Sequence, residues 1–238
     1  MRLLDLTLSS AAENLALDEA LLLEAEAGRG GEVLRLWEWS SPAVVLGASG
    51  VLGEDVDEKA CQADRVPILR RASGGGTVLL GRGCLCYSLV LAMDGIPALA
   101  GVRSSYQVIL SRLADALVGL LPDIIIAGIS DLAAQGRKFA GSAQQRKRFF
   151  LLHHGTILHR LEISLLGRYL REPQRQPDYR AGRTHGDFVQ NLPCSVEELR
   201  DRLRTAWRVE EKRTNWPVER MRDLLAQKYA VEGWIRRR

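Results

Sequence analysis

The chain of 238 residues lacks any apolar run approaching the ~18–20 residues a bilayer span requires, and this reading excludes a membrane-spanning protein. Its opening residues, Met1-Arg2-Leu3-Leu4-Asp5-Leu6, lack the basic-then-apolar layout of a secretory signal, because Asp5 interrupts the apolar residues. The expected compartment is the cytoplasm. Net charge is small as well: 33 Lys and Arg against 29 Asp and Glu leave +4, too little to argue for a nucleic-acid partner without a concentrated basic face. Cysteine is scarce. Cys61, Cys84, Cys86 and Cys194 form no CxxC pair and no second cluster, so neither a zinc site nor a disulfide framework is signalled, and reduced thiols are expected. Lysine is rare beside arginine, which makes each lysine conspicuous. What is abundant is core material: 46% of residues are apolar and 26% charged, a globular composition. The length is generous for one domain and short for two.

The pattern along the chain predicts α+β. Residues 9–27 read as a helix, capped by Ser9 or Ser10 with Glu13 three residues beyond Ser10, and with a stripe of Ala11, Leu15 and Leu22. Strands are expected at 33–39, 43–47, 66–71, 77–80 and 84–91, with Gly74-Gly75-Gly76 between the third and fourth. A helix is expected over 104–121, short strands at 124–126 and 131–134, and a neighbouring pair from 137–143 and 155–158. The region 172–191 reads as a loop, followed by helices near 195–208 and 217–230, the second starting at Pro217. Strand–helix alternation is absent, which argues for a mixed sheet flanked by helices and against a doubly wound parallel one.

Four segments carry chemistry. In Arg70-Arg71-Ala72-Ser73-Gly74-Gly75-Gly76-Thr77-Val78, glycines let backbone N–H groups converge on an anion, and two arginines add fixed positive forks. The alternative is a plain turn, but the pairing with arginines and a hydroxyl favours a ligand loop. No P-loop or dinucleotide fingerprint is present. In Gly136-Arg137-Lys138-Phe139-Ala140-Gly141-Ser142-Ala143-Gln144, Lys138 sits on a strand whose small residues leave room for a substrate; position alone leaves it open between a ligand group and a solvated lysine. His153 and His154 fall on opposite strand faces, so they cannot jointly hold one metal well, and hydrogen bonding is the favoured use of at least one. The segment Asp178 to His185 is open between a basic lid and a solvated loop.

These motifs together resemble the lipoate–protein ligase A family, within the wider group of biotin and lipoate ligases and octanoyltransferases. Glu13 to Ala20 resembles its opening helix, Arg70 to Val78 its glycine loop, Gly136 to Gln144 its lysine strand, and His153 to Leu158 the strand that follows; Lys228, Tyr229 and Trp234 resemble the end of the family's catalytic domain. The resemblance implies a class II synthetase or biotin ligase-like core over 1–238 as one catalytic domain, helical from about 195, without the family's accessory domain. It implies that ATP and lipoate (or octanoate) give an acyl-adenylate whose acyl group passes to a carrier lysine. Lys138 would bridge the acyl carbonyl and the phosphate as the catalytic residue. Arg71, Gly76, Thr77, Val78, Leu79 and Ala143 would contact the adenylate. Arg70, Ser73, Gly74, Gly75, Tyr87, Gly141, Ser142, His154 and Gly155 would contact the substrate, with Val45 and Leu46 walling the acyl tunnel, and Mg²⁺ would sit mostly on phosphates with Asp131 as candidate ligand. Implied partners are apo lipoyl domains of 2-oxoacid dehydrogenase E2 subunits, the glycine cleavage H protein, and a separate small accessory ligase subunit.

The chain departs from the family pattern at Leu79-Leu80-Gly81, where the family's bacterial ligases often carry Phe-His-Asp. Two rivals follow. Octanoyltransferases or lipoyl amidotransferases of the same family use a cysteine ahead of the lysine strand; Leu121 to Ala134 contains none, and Cys84 and Cys86 lie in an apolar strand as expected core thiols. A non-catalytic cofactor-binding relative is the other rival, against which the retention of Arg71 and Lys138 speaks.

Overall fold

The computed structural model describes residues 1–237. Among the described residues, eleven strands form two sheets: β1 (Arg2–Asp5), β2 (Val33–Glu38), β3 (Ala43–Leu46), β4 (Ile68–Arg70), β5 (Val78–Leu80), β6 (Cys84–Ala92), β7 (Ile125–Ala127), β8 (Asp131–Ala134), β9 (Arg137–Arg146), β10 (Phe150–Leu158) and β11 (Glu211–Lys212). The large sheet runs β11-β1-β2-β6-β10-β9-β8-β7, and the small one β4-β3-β5. Both sheets are mixed: β1 is parallel to β2 and β11, and β3 is parallel to β4, while β2, β10, β9, β8 and β7 pair antiparallel with their neighbours from β6 outward. The expected α+β class with a mixed sheet is the observed one.

Strand β6 is central and explains its own composition. Cys84, Cys86 and Val90 join the core on one face, and Leu85, Tyr87, Leu89 and Leu91 join the core on the other. A strand covered on both faces reads as a continuous apolar run. The helix Ala11–Glu26 and the small sheet cover the first face; the helices Val102–Leu117 and Val196–Ala206 cover the second.

The first helix carries the expected capping box: the Glu13 amide donates to Ser10 Oγ at 3.1 Å, and Ser10 N–H donates to Glu13 Oε2 at 2.8 Å. The expected apolar stripe of Ala11, Leu15 and Leu22 is buried, but burial extends well beyond it. Residues 14–22 are all buried, Asn14, Asp18 and Glu19 included. A helix buried all round must pair its polar side chains internally. Arg35 of β2, fully buried, supplies the partner: its Nη1 donates to Asp18 Oδ1 at 2.6 Å and to Asn14 O at 2.8 Å. The short helices Leu52–Asp55 and Glu58–Ala63 and the short strands β1 and β11 escape the sequence pattern, being too short to show a period. The last expected helix is split: Val218–Leu224 continues as a π turn over Leu225–Tyr229, and Glu232–Ile235 follows.

Candidate active site

The glycine loop links β4 to β5, which do not pair with each other but flank β3. Gly75 has φ +84°, a left-handed conformation that L side chains adopt only under strain. Arg71 holds the loop from within. Its Nε donates to Ser73 Oγ at 3.1 Å, and its Nη2 donates to Gly74 O at 2.6 Å and Gly76 O at 2.8 Å. Burial pushes this guanidinium down to about 10, so it stays charged near neutrality; none of its hydrogen bonds is to a carboxylate. A buried cation without an anionic side chain is suited to an anionic ligand.

Two cavities adjoin this loop and share Gly76, Thr77, Val78, Ser130, Asp131, Lys138, Gly141 and Thr156, which therefore form the passage between them. The inner cavity runs on past Gly75, Tyr87, Ser142, Ala143 and Gly155 to Leu15, Asp18, Trp37, Val45, Cys86 and His154. Leu15, Asp18, Trp37 and Cys86 are each at most 5% exposed, so this end is closed. The outer cavity spreads over Leu79, Asp55, Arg103, Ile126 and Ile129, and beneath the segment 171–189.

Lys138 stands in the passage on β9. Its Nζ lies 2.7 Å from Asp131 Oδ1, and Tyr179 donates to Asp131 Oδ2 at 2.8 Å. The lysine lies across its own strand because position 141 is glycine: a Cβ there would sit 2.7 Å from Lys138 Nζ. Tyr179 belongs to the segment left open between lid and solvated loop. That segment is ordered here, with a 3-10 turn at Asp178–Arg180 and a helical turn at His185–Phe188, and it reaches the lysine through Asp131.

The inner end carries a buried polar chain. Ser73 Oγ is 2.6 Å from His154 Nε2, and His154 Nδ1 is 3.1 Å from Asp18 Oδ2. Burial alone would raise the Asp18 carboxyl, but the Arg35 charge with help from His154 and Ser88 outweighs it and holds the group below the usual carboxylate range. An ionised Asp18 can only accept, so His154 Nδ1 carries a proton and donates to it. His153 points the other way, as strand alternation requires. It stacks against Tyr87 and meets Tyr106 edge-on, and burial, with the neighbouring His154, pushes it down to about 3, so it is neutral.

Several expected placements need correction. Arg70 is fully buried behind the loop, donating to the carbonyls of Gly47, Gly50 and Ile235 at 2.9, 2.7 and 2.9 Å, and is not among the lining residues. Its position at the end of β4 turns it toward the small sheet's connections rather than the cavity. Ser73 and Gly74 line neither cavity, being covered by His154 and by the Arg71 clamp, and Leu46 packs in the core. Leu79 lines only the outer cavity. Both Asp131 oxygens are engaged by Lys138 and Tyr179, and among the described residues no group of three or more His, Cys, Asp and Glu side chains is placed to hold a metal. The residues present do not fit a protein-held Mg²⁺ at Asp131. Cys86 lines the inner cavity, yet burial first, and Cys84 and Asp18 beside it, push its thiol well above the ordinary range; Cys61 and Cys194 are pushed up to about 11.

Asp18, Arg35, Trp37 and Tyr179 were not foreseen as site residues. A charge inside Val33-Leu34-Arg35-Leu36-Trp37, and an acid inside an apolar helix, were the available signals for the first two. Tyr179 has no such signal, since its contact is made across the fold.

The fold and this cavity define a class: a mixed-sheet domain with an elongated, closed-ended internal site whose passage is marked by one lysine. The chain belongs to the lipoyl protein ligase A/B catalytic domain family, whose model matches residues 10–215, and is an enzyme of the lipoate ligase and octanoyltransferase group. It is similar to octanoyltransferase LipM of Carboxydothermus hydrogenoformans, 37% identical over 187 residues that cover 71% of this chain and 69% of that protein. Its fold matches that of a bi-partite lipoate protein ligase from Thermoplasma acidophilum, TM-score 0.83 at 23% identity, covering 99% of this chain and 95% of that one. A lipoate-protein ligase A bound with ATP matches at TM-score 0.82 and 24% identity, covering 99% and 98%. No helix of the described residues is long and apolar enough to cross a membrane.

Proposed function

We propose that this enzyme moves an eight-carbon acyl group, octanoyl or lipoyl, from an activated donor directly onto the lysine amine of a lipoyl domain. The acyl chain occupies the inner cavity, its carbonyl rests in the passage, and the acceptor lysine enters through the outer cavity. The incoming ammonium first loses a proton to solvent; its neutral nitrogen then forms the amide bond as the bond from the acyl carbon to the leaving group breaks, the leaving group departs with that electron pair, and the nitrogen's second proton passes to the leaving group or to solvent. Lys138 carries the reading: it is the one lysine lining either cavity among the described residues, and it stands where charge develops on the transferring centre. Arg71 orders the glycine loop and adds a second positive charge nearby.

The donor separates two forms of the reading. The similarity to an octanoyltransferase favours transfer of octanoyl from an acyl carrier. The chemistry of the thiols favours an acyl-adenylate made from ATP, as in a ligase: Cys86, the cysteine lining the inner cavity, is held protonated, so an enzyme thioester has no ready nucleophile. In the ligase form, Mg²⁺ would be held by phosphates. The lipoyl domain as acceptor draws support from the Thermoplasma system, which pairs a bi-partite ligase with an E2 lipoyl domain. Incubating the chain with an apo lipoyl domain and either octanoyl carrier protein, or ATP with octanoate or lipoate, separates the forms by mass spectrometry of the acceptor. Modification in neither mixture, with a small accessory subunit also supplied, would overturn the reading.

A further inference from the structure

The last residues of the described chain do not line either cavity, yet they reach the glycine loop from behind. Trp234 Nε1 donates to Arg70 O at 2.9 Å, and Arg70 Nε donates back to Ile235 O at 2.9 Å. The same arginine donates through Nη1 to Gly47 O and Gly50 O, and Arg237 reaches Ala48 O. The connection 47–50 is in turn the outer support of the loop. Ala48 N–H donates to Ser73 O at 2.8 Å, and Gly47 lies so near that a Cβ on it would stand 1.9 Å from Gly75 O. Force on Trp234 therefore passes to Gly75 through two short steps, by Arg70 and by the 47–50 connection.

The segment is itself fixed at its near end. Lys228 and Tyr229 both contact the buried Glu19, at 2.7 and 2.8 Å from its Oε2. Lys228 Nζ and Arg237 Cζ lie 4.3 and 3.8 Å from the Trp234 ring centroid, distances at which a cation is attracted to an indole face.

We propose that residues 228–237 form a clasp that sets the conformation of the glycine loop, with Trp234 and Arg70 as positioning residues. Arg70 acts on the donor through backbone it holds, not by touching it. A Cβ on Gly74 or Gly76 would meet nothing within 4 Å; the loop is held by Arg71 and by the Ser73–His154 contact inside, by Thr77 donating to Asp55 at its far end, and by the clasp from behind.

Hydrogen–deuterium exchange on the full chain tests this without assuming any activity. In Trp234→Ala, amides 72–77 should exchange about tenfold faster than in the unmodified protein, while amides 84–92 of β6 stay unchanged. Trp234→Phe, which keeps a ring for the two cations but loses the N–H donor, should accelerate the same amides severalfold, and it keeps the proposal falsifiable if the alanine variant misfolds. Unchanged loop exchange, or an equal rise in 72–77 and 84–92, would overturn the clasp. A kinetic arm rests on the transfer reading above: in Trp234→Phe the donor KM should rise about fivefold with kcat within twofold. Accelerated loop exchange in a protein inactive with every donor would leave the clasp standing and remove the transfer reading instead.

Discussion

At the inner end of the cavity, Arg35, Asp18, His154 and Ser73 form a chain of contacts between 2.6 and 3.1 Å, buried among helix, sheet and loop. In the passage, Lys138, Asp131 and Tyr179 form a second chain at 2.7 and 2.8 Å, but Lys138 keeps 28% of its side chain exposed. Both use a cation, a carboxylate and a hydroxyl. The inner charges cannot separate without leaving an ion stranded in the core. The outer lysine can exchange its carboxylate for a ligand and lose little, because water screens the change. Similar residue types thus make a scaffold in one place and, on the proposed function, a working group in the other.

The contrast makes ordered predictions. Arg35→Met should destabilise the protein by about 3–5 kcal/mol, because Asp18 loses its buried counter-charge. Chemical denaturation measures this, and a loss below about 1 kcal/mol would mean the inner chain is not the scaffold described. Lys138→Ala should do the reverse. Transfer from preformed donor should fall about 10²–10³-fold, or roughly 3–4 kcal/mol in the barrier, with the melting temperature nearly unmoved. Wild-type-like single-turnover rates would refute the role given to Lys138.

A smaller effect divides β10 itself. His153, neutral and pushed down to about 3, ordinarily titrates near 6.5. The unfolded chain then binds a proton that the folded one refuses, so this contribution is complete above pH 6.5 and drains away as pH falls toward 3. The loss should reach roughly 2 kcal/mol at pH 5. Stability curves of the wild type and His153→Gln should therefore converge on acidification, and parallel curves would contradict the buried neutral imidazole. The smallest effect on transfer belongs to the thiols. Cys84→Ser combined with Cys86→Ser should retain most transfer activity and lose about 1–3 kcal/mol of stability from burying hydroxyls. An acyl adduct on either cysteine, released by hydroxylamine and seen by mass spectrometry, would reinstate a thioester route.

The parts of this molecule legible in the sequence are those whose signal is local. Ser10 and Glu13 announce the helix start because the capping box spans three residues. Lys138 and Gly75 stand out because a lysine among small residues and a glycine run are visible without the fold. The pairing of Asp18 with Arg35 and the reach of Tyr179 to Asp131 join residues 17 and 48 positions apart, and no periodicity reports them. Arg70 shows the limit most plainly. Two adjacent arginines look equivalent in the sequence, but successive residues at a strand end face opposite ways, and only Arg71 turns into the cavity.

The closed inner end also constrains how a reaction cycle would finish. On the proposed function, an acyl chain seated between Leu15, Trp37 and Cys86, each at most 5% exposed, would meet a buried wall, so once bonded to the carrier's lysine it would be drawn out tail-last through the gap it entered. Each methylene pulled from that apolar sleeve into water costs about 0.8 kcal/mol, close to a fourfold slowing per carbon. On the proposed function, and unless the departing domain shelters the chain, turnover should become a measure of tail length: short acyl groups would leave quickly and long ones would act as tethers, with Leu15 and Trp37 at the end of the sleeve.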